Sequence, residues 1–141
     1  MTVLRPFEQE DRAQVISLWH ACNLTRPWND PGKDIDRKDG VGADLFLVLV
    51  SDEIVIGTVM GGYDGHRGVI NYLAVSPDHR GKGYGRMLVE AVEDKLRALG
   101  CPKINLLMRT DNSEVADFYT DLEYTAQDDV MVFGKRLIPD D

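Results

Sequence analysis

Between a β-branched run ending at Val75 and an amphipathic stretch beginning near Met87, the chain places glycines at 81, 83 and 85 within His79-Arg80-Gly81-Lys82-Gly83-Tyr84-Gly85-Arg86. Met87, Leu88, Ala91, Val92, Leu96 and Leu99 then recur at helical spacing until Gly100 and Pro102 supply a stop, which predicts a helix. The glycine turn thus joins a buried strand to a helix, and its backbone N–H groups are the unpaired donors of a helix N-terminus. Lacking Cβ atoms, the glycines permit positive φ and a close approach of phosphate oxygens to the backbone. Arg80, Lys82 and Arg86 add three positive charges with no acid among them, in a chain with net charge −8. The turn suits an anion. From spacing alone, a solvated turn whose glycines serve only geometry stays open.

The remaining segments predict one mixed α/β domain over residues 1–141. Residues 2–7, interrupted by Pro6, read as an edge strand. Val15, Leu18, Trp19 and Cys22 lie on one helix face. The polar stretch 23–42 reads as a loop available for recognition, able to hold a short helix near Ile35. Residues 45–50 and 54–60 read as an antiparallel hairpin, 69–75 as a fourth strand, 103–108 as a fifth and 130–137 as a last one, with a helix over 112–122. The longest apolar run, 45–50, is far short of the roughly 20 residues of a membrane span. Residues 1–10 do not read as a secretory signal, so a cytoplasmic location and no membrane partner are expected. Cys22 and Cys101 form no zinc spacing with the histidines. The acidic balance works against nucleic acid as a partner and favours a cationic substrate.

Two rival phosphate binders fail on spacing. No GxxxxGK[ST] string occurs, and the dinucleotide fingerprint would need glycine where Arg86 stands. At Arg80-Gly81-Lys82-Gly83-Tyr84-Gly85 the chain resembles the GNAT superfamily of N-acetyltransferases, whose signature is Gln or Arg, two residues, Gly, one residue, then Gly or Ala. Leu73-Ala74-Val75-Ser76-Pro77 looks like the strand end leading into it, and Asn112, Ala116, Phe118, Tyr119 and Leu122 look like the second cofactor segment. The resemblance covers nearly the whole chain, and partly through Arg26-Pro27-Trp28-Asn29-Asp30 and Gly61-Gly62-Tyr63-Asp64-Gly65-His66-Arg67-Gly68 the chain looks like the small bacterial YpeA-type members. It implies a mostly antiparallel sheet of six to seven strands, splayed between the fourth and fifth, with helices on both faces. It also implies acetyl-coenzyme A as cosubstrate and no metal, its pyrophosphate held by residues 80–86 and its pantetheine arm by Leu73, Ala74, Val75 and Asn112. The Leu73 amide would stabilise the oxyanion, and Tyr119 would protonate the departing thiolate in a ternary complex. The acceptor would be a small-molecule or peptide amine. A homodimer stays open. The rivals are a coenzyme A sensor of the same fold without turnover and a domain binding another nucleotide diphosphate.

Acetyl transfer requires an uncharged amine and a proton for the leaving sulfur. The Tyr119 phenol, with a reference pKa of about 10, stays protonated at neutral pH. Yet Val115, Phe118, Tyr119 and Leu122 form one helical stripe, where an aromatic is usually core. Asn112 either binds the pantetheine amide or caps the helix that starts there. No base is assigned, because Val69-Ile70-Asn71-Tyr72 lacks the carboxylate some relatives carry on the fourth strand. Asp64, His66 and Tyr72 could act through water, although Asp64 and His66 lie in a glycine-rich turn. Glu123 stands where the family usually has glycine after the tyrosine helix. Trp28, Asn29, Asp30 and Tyr72 are candidate acceptor contacts, with a solvated acidic loop around Asp30, Asp34 and Asp36 as the plainer reading.

Overall fold

The computed structural model describes residues 1–139, which form two compact units, Met1–Leu106 and Leu107–Pro139. In the first, β1 (Thr2–Pro6) leads to α1 (Arg12–Ala21) and α2 (Pro31–Lys38). Strands β2 (Phe46–Ser51), β3 (Ile54–Tyr63) and β4 (Gly68–Val75) follow, then α3 (Tyr84–Ala98) and β5 (Ile104–Leu106). The sheet order is β1-β2-β3-β4-β5, antiparallel throughout except for the parallel pairing of β4 with β5. Pro6 ends an edge strand, where its missing N–H costs no ladder bond. Asp52 and Glu53 both have positive φ, 50° and 69°, the sign that lets a two-residue hairpin turn follow the twist of its strands.

The continuous apolar run of β2 arises because both faces of the sheet are covered. Phe46 and Val48 join Val15, Leu18, Trp19 and Ile35 in the core under α1 and α2. On the opposite face α3 buries Leu88, Val89, Val92 and Leu96. It sits so close to β3 that a Cβ on Gly61 would lie 2.8 Å from Val92.

At the start of the chain, Arg5 forks onto the buried Asp11 at 2.8 and 2.9 Å, and the Glu8 amide donates to the same carboxylate at 2.9 Å. The Arg5 hydrogen bond, helped by the Glu8 amide, holds the Asp11 carboxyl below the usual carboxylate range against the opposing effect of burial. Since folding lowers this pKa, the stability it contributes is complete above the unfolded value of about 3.9 and disappears as pH falls through the folded one. Asp11→Asn should therefore cost about 2 kcal/mol in urea denaturation at pH 7. The same substitution should cost distinctly less at pH 2–3.

The sheet has five strands, not the six to seven expected, and the strand anticipated at 130–137 does not form. Val130 and Phe133 are 68% and 89% exposed. The run between Asp129 and Gly134 offers four apolar residues, too few to be stable as a strand without a ladder partner. The anticipated fifth strand contracts to Ile104–Leu106. In the second unit the helix α4 (Ser113–Asp121) forms as its periodicity predicts.

Candidate active site

Three local structures hold the residues singled out by sequence. At the glycine turn, Gly81 and Gly83 adopt φ of 78° and 81°, and a Cβ on either would meet no atom within 4 Å. Gly83 is the N-cap of α3, with no side-chain hydrogen bond to the cap and no acid in the first turn. Space beside Gly81 and Gly83 is thus open, and among the described residues no side chain caps the amides that open α3. Arg80 donates through Nε to the Val75 carbonyl at 3.3 Å, tying the turn to the end of β4. Lys82 and Arg86 are exposed and form no ion pair among the described residues. The donors, the room and the positive charge fit a diphosphate.

The second structure is a bulge in β4. Thr58 pairs with Ala74 and Met60 with Asn71, so β4 spends one residue more than β3 across Tyr72 and Leu73. Tyr72 sits there with φ of 51°, in the left-handed region that a non-glycine residue enters at a cost. Tertiary contacts hold it: the Trp19 and Tyr72 rings stack with centroids 3.8 Å apart. Trp19 Nε1 donates to Thr58 Oγ1 at 2.8 Å, and that hydroxyl donates to the Tyr72 carbonyl at 2.8 Å. The parallel ladder to β5 covers only Gly68, Val69 and Ile70. Among the described residues, no pairing of β4 with β5 continues from Asn71 to Val75.

The bulge borders a cavity of about 490 Å³, to which Asn29, Asp34, Lys38, Met60, Asn71 and Tyr72 contribute. The Tyr72 hydroxyl donates to Asp34 Oδ2 at 2.6 Å, and Arg37 Nη1 donates to Asp34 Oδ1 at 3.1 Å. Lys38 Nζ donates to the Gly61 carbonyl at 2.6 Å, and burial lowers its pKa. Of the residues proposed to meet an acceptor, Asn29 and Tyr72 line this cavity. Trp28 is 50% exposed and does not. Asp30 is used as the N-cap of α2, accepting from the Lys33 amide at 3.0 Å. The solvated-loop reading of Asp34 is overturned, and Lys38 escaped notice altogether. The signal was present in their i, i+4 spacing behind Asp30-Pro31, a cap followed by a proline suited to the first helical position.

The third structure is α4. Asn112 caps it, accepting from the Val115 amide at 3.3 Å. Tyr119 is buried, with edge-to-face contacts to Phe118 and Tyr124 at centroid distances of 5.0 and 5.4 Å. Burial pushes its pKa up to about 12, so the phenol keeps its proton. Glu123 has φ of 72°. The Tyr124 and Glu123 amides return to the carbonyls of Tyr119 and Thr120 at 2.9 and 3.0 Å, the paired bonds of a left-handed helix exit. Glu123→Gly should remove the strain and stabilise the protein by about 1 kcal/mol. A raised urea midpoint is the readout.

Residues 13–124 match the model of the Acetyltransferase (GNAT) family. The chain belongs to that family. A protein named acetyltransferase from Sodalis glossinidius (strain morsitans) is 53% identical over 137 residues, covering 97% of this chain and 96% of its own. One of the same name from Pectobacterium atrosepticum is 51% identical with the same coverage. Among solved structures, the NatC complex bound to Gag peptide and CoA is similar, with a TM-score of 0.75 and 25% identity over 86% of this chain and 82% of that one. This GNAT protein is an N-acetyltransferase. Among its described residues no helix is long and apolar enough to cross a membrane.

Proposed function

We propose that the enzyme transfers the acetyl group of acetyl-coenzyme A to a primary amine by direct attack within a ternary complex, and that both units belong to one catalytic domain. The observation carrying this reading is the uncapped start of α3, where open glycine amides lie among Arg80, Lys82 and Arg86. The amides of residues 81–85 with these cations would bind the pyrophosphate, Tyr84 lying in the same turn. The edge of β4 beyond its ladder with β5, at Leu73, Ala74 and Val75, would satisfy its backbone on the pantetheine arm, as would the Asn112 side chain. The cosubstrate supplies an activated acetyl thioester.

The chain's own residues have three tasks. The Leu73 amide stabilises negative charge developing on the carbonyl oxygen. The Tyr72 oxygen accepts the amine's proton while its own moves to Asp34, a route supported by their 2.6 Å hydrogen bond. This supplies the carboxylate that β4 itself lacks. Tyr119, kept protonated by burial, donates to the departing sulfur.

The test is thermal unfolding with acetyl-coenzyme A, coenzyme A, ATP and NAD, paired with thiol release in the presence of amines. At 100 times the Kd, acetyl-coenzyme A should add about 2.7 kcal/mol of stability. A greater stabilisation by ATP or NAD would refute the reading.

A further inference from the structure

The charge of the acceptor cavity runs against that of the chain. Overall the protein carries −8, but among the described residues this cavity is lined by one carboxylate, Asp34, and two cations, Arg37 and Lys38. Asp34 and Lys38 are four residues apart on α2, a spacing that puts their Cβ atoms about 5–6 Å apart and often yields an ion pair. Here they do not pair. Asp34 is committed to Tyr72 and to Arg37. Lys38 turns to the Gly61 carbonyl at 2.6 Å, and no carboxylate of the described residues comes within 4.0 Å of its Nζ.

An ammonium has three donors, and a half-buried one with a single carbonyl partner retains two for a ligand. Arg37 pairs with Asp34, while Lys38 feels Asp44 at longer range and has no carboxylate of the described residues in contact with its charge. A monoanionic carboxylate matches it. A phosphate would call for several converging donors, and the guanidinium that lines this cavity, Arg37, already donates to Asp34.

We infer that the acceptor is a small primary amine that also bears a carboxylate, an amino-acid-like zwitterion whose ammonium meets Tyr72 and Asp34 while its carboxylate meets Lys38; this rests on the acetyl-transfer reading above. The ammonium N–H groups donate to the Tyr72 oxygen, and the carboxylate accepts the spare Lys38 donors beside the Gly61 carbonyl. The nitrogen forms its bond to the acetyl carbon as the carbon–sulfur bond breaks. Of the two protons the nitrogen gives up, one leaves through Tyr72 to Asp34 and then to water. The other passes to water, from which Tyr119 regains the proton it gives to sulfur. The product is an N-acetylated acid whose carboxylate is unchanged.

The experiment compares thiol release from acetyl-coenzyme A with a panel of α-amino acids, their methyl esters and the corresponding decarboxylated amines. The free acids should be preferred over both partners by roughly 10- to 100-fold in kcat/KM, the range for a hydrogen bond to a charged group. Lys38→Met should collapse that ratio toward one, chiefly through KM, and Lys38→Arg should retain most of it. Esters or simple amines turned over as well as the acids would overturn the carboxylate assignment while leaving the acetyltransferase reading intact. A ratio unchanged in a folded Lys38→Met protein would do the same. Failure of every amine in the panel would overturn both.

Discussion

Gly83→Val is expected to erase the stabilisation that acetyl-coenzyme A confers. Nothing within 4 Å would obstruct the new side chain inside the protein. Its two methyl groups would instead enter the open volume beside the start of α3, where the proposed diphosphate would sit. The residue would also be held at φ of 81°, a left-handed geometry costing a non-glycine residue about 1–2 kcal/mol. Two effects are therefore separable by thermal unfolding. The free protein should lose modest stability, and the ligand-dependent gain of about 2.7 kcal/mol at 100 times the wild-type Kd should vanish. Gly40→Val provides the control, since Gly40 also has positive φ, 76°, and no neighbour within 4 Å but lies outside the turn. It should weaken the fold and keep the ligand response. A full ligand response in Gly83→Val would remove the diphosphate site from this turn.

Tyr119→Phe should lower kcat by about 10²- to 10⁴-fold, the range for removing a positioned general acid, while changing acetyl-coenzyme A affinity little. Phenylalanine preserves the ring and hence the contacts with Phe118 and Tyr124. Only the hydroxyl is lost. With the phenol's pKa raised to about 12 by burial, it stays protonated at every usable assay pH, so no alkaline decline in kcat should come from its titration. The substitution should therefore depress the whole pH profile without moving its limbs. If single-turnover acetyl transfer in Tyr119→Phe ran at the wild-type rate, the residue would serve packing alone.

The two substitutions probe opposite ends of the proposed chemistry, and they differ in how far the sequence alone supports them. For the glycine turn the signal is local. Three glycines, three cations and an apolar period of 3.6 lie within about one turn of each other, and α3 forms where that pattern starts, with Gly83 as its N-cap. For Tyr119 periodicity supports a buried aromatic, which it is, and burial alone explains the raised pKa. Its role as an acid comes from the resemblance to the family. Asn112 illustrates the same ambiguity, because the cap it forms satisfies the helix without reference to any ligand.

The amino-acid sequence by itself determined α1, α3 and α4, the order of the first five strands and the clustering of glycines and cations at 80–86, because each depends on side chains that are neighbours along the chain. Tertiary structure alone decided the rest. Asp34 and Tyr72, separated by 38 positions, meet at 2.6 Å only because α2 lies against a bulged β4. That bulge is held by Trp19 and Thr58 from two further elements. The last apolar run failed as a strand for a related reason: a strand is completed by the backbone of its neighbour, and no periodicity within residues 130–137 can supply one.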